Sequence, residues 1–167
     1  MIPLLAPATV VAMTISILLL LLAVPGYTVW VADNEIRNAA ESVSSGLRFA
    51  QTTAITRNAN AQFVLSPADW NVMLVDAPLV PIKTATFAEG SRHATVTGMD
   101  LAFAAATTVA FNPLGQVINA ATNVVRIDIT QPGVAGTRQL RVLVGNGRTG
   151  VKMCDPAFLP TDPKGCP

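Results

Sequence analysis

Charged, aromatic, histidine and cysteine side chains are all scarce in this chain. Charged residues fill 13% of its 167 positions and sum to +1, so composition argues neither for a nucleic-acid binder nor for a disordered chain. The single histidine, His93, and two distant cysteines fall short of the four ligands of a structural zinc site. Hydrolytic or transfer chemistry also lacks its parts. His93 stands beside Arg92 in an expected strand and reads as a surface residue, without the partners a catalytic base needs. Asp69, Asp76, Glu89, Asp100 and Asp128 show no pairing suited to acid and base roles. Gly145-Asn146-Gly147 before Arg148 precedes no helix and no phosphate-loop lysine, and a hairpin turn accounts for it better. Neither an enzyme nor a cofactor is expected.

What the chain has in quantity is an apolar N-terminal run. It is unbroken from Val10 to Val24 and extends back to about Leu4, enough for one membrane span. Thr14 and Ser16 lie inside it, where their hydroxyls can bond back to the helix backbone. No Lys or Arg precedes the run and no Ala-x-Ala closes it, which favours a retained anchor over a cleaved signal peptide. Pro25 and Gly26 should bend the helix, and Tyr27 and Trp30 suit a membrane surface or a packed helix neck. Beyond them Val29, Ile36, Ala40, Val43, Leu47, Ala50 and Ala54 keep helical spacing and form one narrow stripe. Asp33, Asn34, Arg37, Glu41, Ser44, Ser45, Arg48 and Gln51 occupy the opposite face, which is expected to meet water. The helix should end near Arg57 and Asn58.

Past that point the period becomes alternating. Strands are expected at Gln62 to Leu65, Asn71 to Val75, Thr84 to Phe87, His93 to Val96, Thr108 to Phe111, Val124 to Ile129 and Gln139 to Val144, with Pro and Gly between them. The expectation is a meander of short antiparallel strands whose apolar face is covered by the helix stripe.

Cys154 and Cys166 enclose a segment rich in Pro, Asp and Gly. Their placement fits a disulfide worth about 3 kcal/mol by loop entropy, with two free thiols as the alternative. From Thr137 onward Arg138, Arg141, Arg148, Lys152 and Lys164 face only Asp155 and Asp162. Such a tail can contact phosphates in a salt-sensitive way. An ordinary solvated strand face is the competing explanation.

Taken together, these segments resemble the type IV pilin-like proteins, and within them the FimT/GspH group of minor pilins and pseudopilins. The resemblance rests on Leu22-Ala23-Val24-Pro25-Gly26-Tyr27, on Arg37-Asn38-Ala39-Ala40, and on the stretch from Leu47 to Asn58. It extends through Asp69-Trp70-Asn71-Val72-Met73 and Phe111-Asn112-Pro113-Leu114-Gly115 to Met153-Cys154-Asp155-Pro156 with Cys166-Pro167, a tail more like FimT than GspH. One feature departs from the family. Placing Pro25 on the family's proline puts Ala8 where a glutamate is usual, Leu4 at the first mature residue and Pro3 in place of the processing-site glycine.

The resemblance implies an α+β, type IV pilin-like fold with a long N-terminal helix on an antiparallel β-sheet domain. It divides the chain into a transmembrane segment at 1–27, an amphipathic periplasmic half-helix at 28–58 and a β domain with a disulfide loop at 59–167. It implies a minor pilin of the bacterial inner membrane, single-pass with its C-terminal domain in the periplasm, that meets other pilins through its helix. Small residues at Ala39, Ala40, Ser44, Gly46 and Ala50 are expected to let those helices approach. FimT-type proteins also carry a Gly-Arg-x-Arg-x-Cys sequence associated with DNA uptake. Here Lys152 takes its second basic position, Gly150 replaces the first and Arg148 lies two residues early, so Arg148, Lys152, Arg141 and Lys164 are the candidate DNA contacts. The alternatives are a GspH-type pseudopilin of a type II secretion system, or a membrane-anchored periplasmic binding domain that never enters a filament.

Overall fold

The computed structural model describes residues 5–118, 122–145 and 150–167, without the side chains of 5–8, 20–25 and 79. The substitutions at Pro3 and Leu4, and the side chain of Ala8, therefore lie outside the described residues. Helix α1 runs without interruption over Leu5–Arg57. It closes as a Schellman motif: the Asn58 N–H donates to Ile55 O and the Ala59 N–H to Ala54 O, with Asn58 in the left-handed region at φ 48°.

Nine strands follow among the described residues: β1 (Ala61–Leu65), β2 (Asp69–Leu74), β3 (Ala77–Thr86), β4 (Thr95–Met99), β5 (Thr108–Phe111), β6 (Val117–Ile118), β7 (Arg126–Thr130), β8 (Leu140–Val144) and β9 (Val151–Cys154). They form two antiparallel sheets and not one meander. The first has the order β3-β2-β1-β5-β6 and the second β4-β7-β8-β9. β4 leaves its sequence neighbours to join the second sheet, and β5 returns to pair with β1. β3 is longer than its sequence suggests and passes through Pro78 and Pro81. It lies at a sheet edge, where a missing N–H is tolerated, and the register with β2 shifts beside Pro81. β8 pairs with β9 up to Val144↔Val151, and the hairpin turn expected over Gly145 to Arg148 lies, from residue 146 on, outside the described residues.

The core lies where both sheets close on the second half of α1. The first sheet contributes Phe63, Leu65, Trp70, Val72, Val109 and Phe111, the second Val96, Ile127, Ile129, Val142 and Val144. Ile36, Ala40, Val43, Leu47, Ala50 and Ala54 are all fully buried against them, whereas Val29 is only partly covered. Because the helix is clasped from two sides, its buried surface is wider than one stripe. Ala32, Ala39 and Gly46 are buried too, as is Ser44, which the helical pattern alone assigns to water.

The small residues consequently serve a different surface from the one their spacing suggests. A Cβ added at Gly46 would stand 2.8 Å from Phe63 Cε2 and 2.9 Å from Trp70 Cε3. Ala39, Ala40 and Ala50 are likewise covered by the chain's own sheets. They let α1 sink onto its own β domain, so in this half they present nothing to a neighbouring helix. Polar groups flanking the buried face fasten the loops. Asp33 accepts from the Arg138 N–H, Glu35 from the His93 N–H, Asn38 donates to Gly90 O and Gln51 to Gly115 O.

Candidate functional site: an exposed helix half and a disulfide tail

Among its described side chains, the first half of α1 has no cover. Val10, Val11, Met13, Ile15, Ile17, Leu18 and Leu19 are each more than half exposed, and Tyr27 and Trp30 continue the exposed apolar surface with ring centroids 6.1 Å apart. Polar groups in this half are satisfied from within. The Thr14 hydroxyl donates to Val11 O and the Ser16 hydroxyl to Ala12 O. An apolar helix whose hydroxyls at Thr14 and Ser16 are returned to its own backbone is equipped for lipid or for a bundle of similar helices. By length and apolarity taken together, no helix among the described residues qualifies as able to cross a membrane.

At the other end of the chain Cys154 and Cys166 form a disulfide, with Cα atoms 5.1 Å apart. The enclosed loop is further closed by a bridge between Asp155 and Gly165, and the Asp155 N–H donates to Lys164 O. It folds against α1, and between the two lies a groove of about 650 Å³ lined by Trp30, Asp33, Arg138, Met153, Phe158 and Lys164, among others.

Among the described residues, the candidate DNA contacts are not all free to meet phosphate. Arg141 is bound to Asp128, Nε to Oδ1 at 2.7 Å, and Asp128 also holds Arg126 at 2.8 Å. These three groups are only 21 to 24% exposed. Their charges are therefore largely spent on one another. Lys152 is exposed two strands from Arg126, in register with Leu143, while Lys164 is exposed in the disulfide loop. Arg148 lies outside the described residues.

Sequence reasoning missed two features here. His93 precedes β4 and does not lie in it, and its Nδ1 is 3.2 Å from Glu35. Nothing in the spacing signals that pair, because the two residues stand 58 positions apart. Phe103, at φ 60° and over the Arg126 guanidinium at 5.2 Å, had no signal either. Among the described residues no group of His, Cys, Asp and Glu is arranged to hold a metal.

Comparison with known proteins fits this architecture. The type IV minor pilin FimU of Pseudomonas aeruginosa aligns with TM-score 0.55 at 16% identity, over 77% of this chain and 94% of that one. The minor pseudopilin EpsH from the type 2 secretion system of Vibrio cholerae aligns with TM-score 0.54 at 15% identity, over 74% of this chain and 99% of that one. At such identities the likeness establishes the fold. No curated protein matches the sequence. The profile of the family described as "Type II transport protein GspH" matches residues 39–147. That span holds the docked half of α1 from Ala39 onward and the strands through β8, and on it the chain belongs to the GspH family of type IV pilin-like proteins.

Proposed function

We propose that this chain is a minor pilin-like subunit that helps assemble a type IV pilus. One observation carries the proposal: a single uninterrupted helix is clasped by two sheets over its second half, while the described side chains of its first half stand bare and apolar. A soluble domain has no use for such a half-helix, whose burial would be worth about 25 cal/mol per Å² of apolar surface. A subunit that waits in a membrane and then packs among similar helices uses it twice. In this reading residues 1–27 anchor the chain in the inner membrane, 28–58 carry the helix into the periplasm and 59–167 form the periplasmic domain. The unbroken apolar run supports the anchor.

A type II secretion pseudopilin is the second reading, and the likeness to EpsH and the family's description favour it. The proposal does not extend to DNA. Arg141 is held by Asp128, and among the described residues only Lys152 on β9 and Lys164 in the disulfide loop are left of the four candidates. Deletion of the gene, with rescue by the wild-type copy, tests the choice. Loss of surface pili with normal export supports the pilus; loss of export with normal pili assigns the chain to secretion. Normal pili and normal export together overturn both readings.

A further inference from the structure

The disulfide loop lies at a definite end of the molecule. Arg48 Nη2 reaches Val151 O at the start of β9, whereas Met153, Cys154 and Asp155 share the groove with Trp30, Asp33 and Arg37. β9 therefore descends along α1 toward its N-terminus, and the loop after Cys154 continues from that lower end. Trp30 stands six residues beyond Val24, the end of the apolar run. At 1.5 Å per residue that is about 9 Å, close to the outer edge of a headgroup layer about 5–8 Å deep. Phe158 lines the groove whose α1 wall runs from Trp30 to Arg37, so the loop sits at and just beyond the outer edge of that layer, within a side chain's reach of it.

The loop's surface is unlike an ordinary solvated turn. Leu159 is 73% exposed, Phe158 41% and Trp30 62%. The loop is also held in shape, since Asp162 accepts from the Lys164 N–H and donates its own N–H to Leu159 O. Arg138 and Lys164 rise beside these apolar groups and make no ion pair among the described residues. The neighbouring carboxylates Asp33, Asp155 and Asp162 keep their charge but are turned to backbone N–H groups, of Arg138, Ala157 and Lys164 respectively, and not to the two cationic heads. Exposed apolar and aromatic groups flanked by cations outside any ion pair of the described residues, near the height where a helix leaves the bilayer, match the chemistry of an anionic phospholipid interface.

We propose that the disulfide loop is a membrane foot. Phe158 and Leu159 enter the headgroup layer of the bilayer that holds α1, while Arg138 and Lys164 meet lipid phosphates. The inference rests on the anchor reading above. The foot fixes how the β domain stands on the membrane before the subunit is drawn into an assembly.

The test uses the full chain in nanodiscs of phosphatidylcholine and phosphatidylglycerol brominated near the top of the acyl chains. Leu159→Trp in a Trp30→Phe background places one reporter on the foot, with Trp70 buried as a constant. Leu114→Trp in the same background is the control, at the far end of α1 where Gly115 meets Ile55. Bromolipid should quench about half the emission of the position-159 reporter and leave the position-114 reporter unchanged. Adding Arg138→Glu and Lys164→Glu should restore the position-159 emission. A disc-bound chain with no quenching at position 159 overturns the foot and leaves the anchor standing. The same holds if cross-linking places position 159 on a neighbouring pilin in unquenched samples. Quenching unaffected by the two glutamates overturns the anionic-lipid assignment. A chain that does not co-elute with the discs refutes the anchor and the foot together.

Discussion

Gly46 of α1 lies flat against Trp70 of β2, where a Cβ would come within 2.9 Å of Trp70 Cε3. The contact sets how deeply the helix sinks between the sheets. The same indole donates its N–H to the Ser42 hydroxyl at 2.9 Å, one turn earlier, so position and rotation of α1 are fixed by one side chain.

Gly46→Ala is therefore expected to destabilise the domain by about 1–3 kcal/mol, although alanine favours an isolated helix by about 1 kcal/mol. Urea unfolding of the full chain in detergent, followed by the fluorescence of Trp70, reads the difference. A more stable variant would show that helix and sheet do not touch there.

Asp128 joins Arg126 and Arg141 across β7 and β8. Removing it leaves two cations side by side at about a quarter exposure. Asp128→Asn should cost about 2 kcal/mol, between the value of an exposed pair and that of a buried one. The same variant releases Arg141. The loss should shrink as salt is raised, which a urea midpoint measured at two salt concentrations will show.

The disulfide holds the loop that follows β9. Cys154→Ser with Cys166→Ser should lower stability by about 3 kcal/mol. Hydrogen exchange should accelerate at Asp155, whose N–H bonds Lys164 O across the loop, before it does at Ile127 in the core. Unchanged protection at Asp155 would mean that the loop holds its shape without the bond.

Opposite signs are expected at the end of α1. Asn58 takes φ 48° in the Schellman motif. Asn58→Gly should gain a few tenths of a kcal/mol and Asn58→Ala should lose about 1 kcal/mol, because a Cβ without a local hydrogen bond disfavours the left-handed region. Thermal unfolding of the two variants checks the order.

The helix was the most legible part of the sequence, since Ile36, Ala40, Val43, Leu47, Ala50 and Ala54 repeat at the period of the backbone itself. The burial of Ser44 and Gly46 was not, because it depends on a second sheet flanking α1, and periodicity on one element cannot count its neighbours. β3 was shortened in the reading by Pro78 and Pro81, which mark a break in a central strand but not at an edge. β6, of two residues, is too short to show alternation, and β9 lies in the basic tail between glycine and proline, so their pairing partners decide them. The basic tail shows the same limit. Five cations were visible from Thr137 onward, yet the Asp128 that occupies Arg141 becomes its neighbour only through the β7–β8 register.

The most direct test of the whole account asks what the bare half of α1 touches in the cell. A photoreactive phenylalanine analogue in place of Leu18, which is 60% exposed, reports this when the cross-linked products are identified by mass spectrometry. The account predicts cross-links to the N-terminal helices of other pilins or pseudopilins, lost when the assembly machinery is deleted. Products that contain lipid alone, unchanged by that deletion, would contradict a filament role and leave an anchored domain.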